Sequence, residues 1–321
     1  MPMNKTRRSH IVPKFYLKHF CVPGSERIWV GDLKTHQLYL AGISNVAVEK
    51  DFYAARGGEH EDELEERLSK IESNAAPLLQ GFLSGEAEIP PDLGRFIAWL
   101  AARTMWLRRV TQETLPQYLR TKPELFREYI GSEKHGFEFE QISSGRRERL
   151  ALKDALERVH DPSWRMHVHQ DQHLDVIRWQ AYLLQTVHFP TLSWVKVTAP
   201  VGHYLVTSDR PVSWDIFDIG LGDSPAALRH PLVELTVALD PSHALIAVHD
   251  SSALLARSLS ATEINERTCN HAERYVYGCR KVDVEAQLHA LRRGATPLKW
   301  DDRCRSHSSL TPFRFHSGRF Y

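Results

Sequence analysis

Apolar residues recur every three or four positions over much of the first 190 residues, a spacing that places them on one face of a helix. This spacing predicts helices over residues 61–83, 93–114 and 170–188. Pro77 should kink or divide the first of them, because proline removes a backbone donor and clashes with the preceding turn. A short helix with an aromatic face is predicted after Pro13.

Runs of β-branched and aromatic residues, separated by turn formers, predict strands at both ends of the chain. Residues 27–31 and 37–41 flank a polar turn and predict a hairpin. Four short runs predict an antiparallel sheet further on, at residues 192–198, 203–207, 233–239 and 244–248. Helical spacing returns over residues 264–277 and 284–291. We therefore expect an α+β fold that is predominantly helical, with an N-terminal hairpin and a C-terminal antiparallel sheet.

Length and charge add little to this picture of the fold, but they exclude some classes of protein. The 321 residues suit a single large domain spanning residues 1–321. Residues 115–165 are strongly charged with helical character, which predicts a helical cap or insertion. The 41 basic and 40 acidic side chains give a net charge of +1, which excludes a histone-like polycation. Electrostatic recognition must therefore come from local patches.

Targeting signals and cysteine motifs are missing from the sequence. It contains no run of about 18 apolar residues that would predict a transmembrane helix. The basic N-terminal residues lack the apolar stretch of a signal peptide. The four cysteines form no C-x-x-C pair, which argues against a zinc ribbon. We expect a cytoplasmic protein with reduced cysteines that does not bind membranes.

Several common chemistries lack their motifs. The phosphate-binding loop, the dinucleotide fingerprint, the nucleophile elbow and the zinc-deaminase signature are all absent. Histidine is abundant, with 18 residues, and His169 and His173 stand one helical turn apart. Because no third ligand accompanies them, a solvated helix face is the better interpretation. We therefore predict no cofactor and no resident metal.

Three carboxylates and one histidine are candidates for catalysis. Asp209 follows a β-prone run, where it either faces a cleft or accepts the backbone hydrogen bonds of a turn. Glu49 and Asp51 are two residues apart and would share one face of a strand. Their mutual repulsion requires a cation, a proton or an arginine, so either a binding site or a salt bridge explains them. His10 can transfer protons near neutral pH, or cap and pack.

Arginine and aromatic residues form a candidate nucleic-acid surface. Trp99, Arg103 and Trp106 fall along one side of a predicted helix. There they either meet a base and its phosphate or form a core stripe around a buried ion pair. The predicted contacts to nucleic acid are Arg103, Arg108, Arg109, Tyr53, Trp99, Trp106 and Asn265. For Asn265, capping of its helix is the alternative to a substrate contact.

Four short motifs occur in an order that resembles family 4238 of the domains of unknown function. They are His10-x-x-Pro13-x-x-Tyr16-Leu17-x-x-Phe20, Val48-Glu49-Lys50-Asp51-Phe52-Tyr53, Arg95-Phe96-Ile97-Ala98 with Arg103-Thr104, and Thr207-Ser208-Asp209-Arg210-Pro211-Val212. The resemblance spans most of the chain. It implies a bacterial intracellular protein associated with defence against phage, and it assigns no reaction.

Together these features favour an enzyme that hydrolyses a glycosidic bond in DNA. A carboxylate, either Asp209 or one of Glu49 and Asp51, would stabilise positive charge on the sugar and orient water. Arginines would hold phosphates while aromatic rings stack on the everted base. We predict a DNA glycosylase that excises a modified base, such as a bulky modified cytosine, from phage DNA. The oligomeric state stays open.

Two other functions are compatible with the same residues. The first is a metal-dependent nuclease, in which a divalent cation gathers His10, Glu49, Asp51 and Asp209. The second is a noncatalytic nucleic-acid recognition protein that triggers a partner.

Overall fold

The computed structural model describes eight stretches of the chain, to which the structural statements below refer. They are residues 8–53, 63–85, 89–121, 137–150, 152–168, 170–216, 228–249 and 260–292. His169 lies outside them. Helices account for 44% of the structure and strands for 27%.

The described α-helices follow the predicted apolar spacing closely in the first half of the chain. They are α1 (Lys14–Lys18), α2 (Glu63–Leu83), α3 (Pro91–Ala102), α4 (Met105–Thr121), α5 (Leu152–Arg158), α6 (Gln170–Leu183), α7 (Ala261–His271) and α8 (Lys281–Arg292). A π-helix, Leu184–His188, follows α6, and 3-10 helices cover Ile43–Asn45 and Phe189–Thr191. Pro77 lies inside α2 without dividing it.

The strands form four antiparallel sheets within the described residues. They are β1 (Arg8–His10), β2 (Arg27–Asp32), β3 (Gln37–Gly42), β4 (Val48–Lys50), β5 (Phe137–Gln141), β6 (Arg147–Leu150), β7 (Trp164–His167), β8 (Ser193–Thr198), β9 (Thr207–Ser208), β10 (Val212–Ile216), β11 (Val233–Ala238), β12 (His243–Val248) and β13 (Tyr275–Gly278). The strand orders are β1-β4, β3-β2-β13-β9, β6-β5-β7 and β10-β11-β12-β8. The predicted hairpin is β2–β3, in which Trp29 pairs with Leu40.

The expectation of a predominantly helical fold with sheet only in the hairpin and the C-terminal part is wrong. The sheets are distributed along the chain: β5 and β6 lie within the segment 115–165 that was expected to be a helical cap, and β7 begins at its end. Charged side chains pair across these strands, as Arg147 does with Glu138 at 3.0 Å, and hydropathy does not detect strands of this kind. One domain over residues 1–321, with residues 115–165 as a cap or insertion, stays a prediction.

Two predicted helices are shorter than their apolar spacing suggested. The helix over residues 93–114 is divided at Arg103, whose φ of −87° and ψ of 69° lie outside the helical region. The helix over residues 264–277 ends at His271, and the chain continues as β13, which pairs with β2 and β9. In both places a contact distant in sequence overrides the local spacing.

The helices and the larger sheets share one apolar core. Helix α3 packs against α2, α6 and β10, and α7 packs against β9, β10 and β11. Helix α8 lies so close to β2 that a Cβ added at Gly31 would meet Val284 Cγ1 at 2.9 Å. The hydroxyl of Tyr16 links α1 to the sheets through Thr207 Oγ1 at 2.8 Å and the Ala238 carbonyl at 2.6 Å. None of the described helices is both long and apolar enough to cross a membrane.

Candidate active site

A buried arginine gathers an acid, a tyrosine and a histidine from four separate parts of the chain. Arg103, between α3 and α4, is only 1% exposed, and its Nη1 donates to Glu72 Oε1 at 2.6 Å. The hydroxyl of Tyr53 donates to the carbonyl of His10 at 3.3 Å. We refer to His10, Tyr53, Glu72 and Arg103 as the Arg103 cluster. It unites three of the predicted site residues with one that the sequence did not single out.

Local structure explains why these side chains meet. The break after α3 turns the Arg103 side chain towards α2 instead of along a continuous helix. Strands β1 and β4 pair with His10 opposite Val48, which brings the start of the chain beside Tyr53. Glu72 comes from α2, seven residues after Glu65, whose carboxylate accepts from Ser9 Oγ at 2.8 Å. Residues seven apart lie on one helix face, so α2 presents both acids to β1.

Exposure separates the members of the cluster. Arg103 and Tyr53 are covered by protein, with exposed fractions of 1% and 3%, whereas the side chain of Glu72 is 29% exposed. Glu72 is therefore the carboxylate of the cluster that solvent or a ligand can reach. The buried guanidinium of Arg103 binds the Glu72 carboxylate from the interior of the protein.

The electrostatics of the cluster favour a neutral imidazole at His10. Burial and the charge of Lys14 lower the pKa of His10, although a hydrogen bond with the backbone of Ile43 and the charge of Glu72 partly oppose this. Burial also lowers the pKa of Arg103, but Glu72 and Tyr53 together outweigh this effect and raise that pKa overall, so the guanidinium stays protonated. Burial raises the pKa of Tyr53 far above its ordinary value, which keeps its hydroxyl protonated. At pH 7 the cluster thus holds a neutral imidazole and two hydrogen-bond donors, the Tyr53 hydroxyl and the Arg103 guanidinium.

The imidazole of His10 has spare hydrogen-bonding capacity. Its Nε2 is buried and has no hydrogen-bond partner among the described residues. A neutral histidine nitrogen without a donor can accept a proton from water. Because Nε2 is covered, a water molecule must enter the protein beside it before this nitrogen and the Glu72 carboxylate can act on that water together.

Asp209 accepts backbone hydrogen bonds, which is the structural role that the sequence analysis left open beside catalysis. Its Oδ1 accepts from the backbone N–H of Glu273 at 2.9 Å, and its Oδ2 accepts from those of Arg274 at 2.9 Å and Tyr275 at 3.0 Å. Burial raises the pKa of Asp209 to about 7, against the lowering effect of these three donors. The side chain is 6% exposed and fixes the chain where it enters β13. Its role in catalysis stays a prediction that these contacts do not favour.

Glu49 and Asp51 do not form the paired acidic face that a regular strand would give. Glu49 lies in β4 opposite Ser9, but β4 ends at Lys50. Asp51 follows with a φ of 52°, so the alternation of side chains along a strand no longer applies to it. Both are partly exposed. No hydrogen bond brings Glu49 to the Arg103 cluster within the described residues.

The predicted nucleic-acid contacts divide into buried and accessible residues. Trp99 and Trp106 are 4% and 8% exposed and lie under the guanidinium groups of Arg67 at 5.5 Å and Arg210 at 4.0 Å. Their rings are part of the core, as the second interpretation of the sequence held. Stacking on a base would require them to move. Asn265 spans two backbone positions instead of capping its helix, accepting from the N–H of residue 206 and donating to the carbonyl of residue 204, both at 2.9 Å.

Two arginines that were predicted to contact nucleic acid lie near the start of α4. The guanidinium of Arg108 lies 5.5 Å from the ring centroid of Phe52, next to Tyr53. Arg109 is 45% exposed and pairs with Glu273 at 2.8 Å. Burial raises the pKa of Glu273, while Arg109 and Arg210 lower it. Both arginines follow Arg103 within six residues, and Arg109 shares its charge with Glu273.

The sequence analysis missed Glu72, Glu65 and Glu273. In α2 the buried residues Leu64, Leu68 and Ile71 form the apolar stripe, and Glu65 and Glu72 directly follow its members. The sequence did contain a signal for Glu65 and Glu72: they are seven residues apart, and each is next to the apolar stripe. Nothing near Glu273 distinguished it, because its importance depends on Arg109, 164 positions earlier in the chain.

No three His, Cys, Asp or Glu side chains come together as metal ligands in the part of the chain that the structure describes. His10, Glu49, Asp51 and Asp209, the set on which the nuclease alternative depends, are not gathered there.

Comparison with known proteins gives one match. The model of the family described as "Protein of unknown function (DUF4238)" matches residues 8–282, which confirms the resemblance of the four motifs. No curated protein and no solved structure matches the chain.

Proposed function

Since the chain belongs to the DUF4238 family, whose description states no function, we propose its activity from the site: a DNA glycosylase that excises a modified base from phage DNA. The observation that carries the proposal is Glu72, a reachable carboxylate held by buried Arg103 beside His10. A bulky modified cytosine suits the setting of anti-phage defence that the family resemblance implies. Glu72 replaces Asp209 as the carboxylate on which the chemistry depends.

The reaction needs one water molecule and two side chains. His10 Nε2 accepts a proton from the water as the water oxygen bonds to C1′ of the sugar. The bond from C1′ to the base nitrogen breaks, and its electron pair leaves with the base. The ionised carboxylate of Glu72 stabilises the positive charge that develops on the sugar. The proton held by His10 ends on the departing base, so the products are the free base and an abasic site.

The start of α4 supplies the DNA contact in this proposal. Arg108 and Arg109 follow Arg103 by five and six residues, so phosphates bound there lie close to the sugar that faces Glu72. The net charge of +1 does not oppose DNA binding, because these arginines act as a local patch. Tyr53 positions His10 instead of stacking on the base, since its ring is covered.

Incubation of the full chain with modified and unmodified DNA oligonucleotides tests the proposal. We expect mass spectrometry to detect a free modified base, and alkali to cleave the DNA at the abasic site, in the presence of a chelator. Glu72→Gln keeps the size and the hydrogen bond to Arg103 but removes the charge, so the rate should fall by about 100-fold or more. Glu66→Gln, an exposed acid on the same helix, is the matched control and should leave the rate unchanged.

The two alternatives give different products in the same experiment. Strand breaks that need magnesium and release no base would identify a metal-dependent nuclease. Binding of DNA without any product, together with full protection against phage by Glu72→Gln in cells, would identify a recognition protein. Either result would exclude the glycosylase.

A further inference from the structure

A cavity of about 440 Å³ lies between α4 and β7, apart from the Arg103 cluster. Its lining residues are Gln112, Glu113, Pro116, Arg165, Met166, His167 and Val168. Pockets of about 300–1,000 Å³ are the usual size for small organic ligands, so the α4–β7 cavity is large enough to enclose one planar ring system with its substituents.

The walls of the α4–β7 cavity combine apolar surface with opposite charges. Met166 and Pro116 are buried and supply apolar contact area. Glu113 is an exposed hydrogen-bond acceptor, and Arg165 is an exposed donor. His167 is 29% exposed, and its Nε2 lies 2.5 Å from Glu140 Oε2, which fixes the imidazole ring. The cavity can therefore offer donors and acceptors to one flat ligand at the same time.

Pro116 adds a backbone acceptor at the same place. In a regular helix the N–H of residue 116 would donate to the carbonyl of Gln112, but proline has no N–H. The carbonyl of Gln112 thus loses its usual donor between two residues that line the cavity. An exposed carboxylate in the lining, that of Glu113, favours a ligand that carries an N–H₂ group.

We propose that the α4–β7 cavity binds a nucleobase with an exocyclic amine, such as cytosine or adenine. The amine donates to Glu113 and to the Gln112 carbonyl, Arg165 donates to a ring nitrogen or carbonyl, and the ring lies against Met166 and Pro116. Uracil and hypoxanthine carry a carbonyl where cytosine and adenine carry the amine. They would place an acceptor against two acceptors and bind poorly.

The position of the cavity indicates which nucleotide it takes. Gln112 is seven residues from Met105, the first residue of α4, so it lies about 10 Å along the helix from the end of α4 that is next to Arg103. Arg109 is one turn before Glu113 on the same face, between the two sites. If DNA is the substrate, the base in the cavity belongs to a neighbour of the cleaved nucleotide. That assignment rests on the proposed function, whereas recognition of the base does not.

Binding of four nucleoside monophosphates to the full chain tests the inference by isothermal titration calorimetry. All four carry the same phosphate and ribose, so differences among them report on the base. We expect cytidine and adenosine monophosphates to bind at least ten times more tightly than uridine and inosine monophosphates. Glu113→Leu should abolish this preference, whereas Glu157→Leu, an exposed acid on α5, should retain it. Equal affinity for all four, or no binding of any, would overturn the inference.

Two further measurements are needed. The first distinguishes a base within DNA from a free nucleotide, and the second shows whether binding depends on the catalytic site. Competition by a DNA oligonucleotide for bound cytidine monophosphate supports a base within a strand, and absence of competition supports a site for free nucleotides. Glu72→Gln should bind the monophosphates like the unchanged protein. A glycosylase assay without product would leave this binding result intact, and loss of binding would leave the glycosylase result intact.

Discussion

Replacement of His173 should remove a large part of the acid sensitivity of this protein. His173 lies in α6, is 1% exposed, and neither ring nitrogen has a hydrogen-bond partner among the described residues. Its ring packs edge-on against Phe52, with the centroids 5.3 Å apart. Burial, with a smaller contribution from the charge of Arg108, lowers the pKa of His173 to about 3. The folded protein therefore resists protonation that the unfolded chain accepts.

The sign and size of the effect follow from these two pKa values. The folded-state pKa is below that of the unfolded chain, so the stability contributed by neutral His173 is present above pH 6.5. It is lost progressively as the pH falls towards 3. For an unfolded pKa of about 6.5 and a folded pKa of about 3, the loss is about 2 kcal/mol at pH 5. At pH 7 it is close to zero.

Urea unfolding of the unchanged protein and of His173→Leu at pH 7 and pH 5, followed by circular dichroism, measures this loss. Leucine fills a similar volume without a titratable group, and its packing cost is the same at both pH values, so it cancels in the comparison. Between pH 7 and pH 5 the unchanged protein should lose about 2 kcal/mol more than the variant. His289→Leu, at an exposed position on α8, should follow the unchanged protein. Parallel losses in the unchanged protein and His173→Leu would refute the reasoning, because His173 would then titrate as in solvent.

Three other changes test separate parts of the structure. Asp209→Asn presents an amide to the N–H groups of residues 274 and 275, so we expect a loss of about 2–4 kcal/mol in the free energy of unfolding, measured by urea denaturation. Tyr16→Phe removes the hydroxyl that donates to the buried Ala238 carbonyl, so the free energy of unfolding should fall by about 1–3 kcal/mol in the same assay. An unchanged midpoint of urea unfolding would contradict that hydrogen bond. If His10 acts as the base, the rate of base release should fall only below pH 6.5, because the pKa of His10 is lowered, and a rate that rises on acidification would exclude this role.

Apolar spacing identified the elements that local contacts stabilise. Helix α2, helix α6 and the β2–β3 hairpin lie where the sequence predicted them, because each buries a face that residues three, four or two apart define. Later strands such as β11 and β12 were also found from their β-branched runs. The solvated face predicted for His173 was wrong, since position 173 continues the buried side of α6.

The sequence could not predict elements whose partners are distant. Strand β13 has helical spacing but adopts an extended form, because β2 and β9 satisfy its backbone groups on both sides. Glu138 of β5 pairs with Arg147 of β6, and Glu140 of β5 contacts His167 of β7. Propensity is a weak preference, and pairing of this kind overrides it.

For the candidate site, the amino-acid sequence by itself determined the family, the approximate helices and hairpin, and a set of residues capable of acid–base chemistry. Only the tertiary structure decided which of them work together. Arg103 meets Glu72 across 31 positions of sequence, while Asp209 is occupied by backbone groups up to 66 positions away. The physical reason is that the pKa and reach of a side chain depend on burial and on neighbouring charges, and folding brings those neighbours together from separate elements.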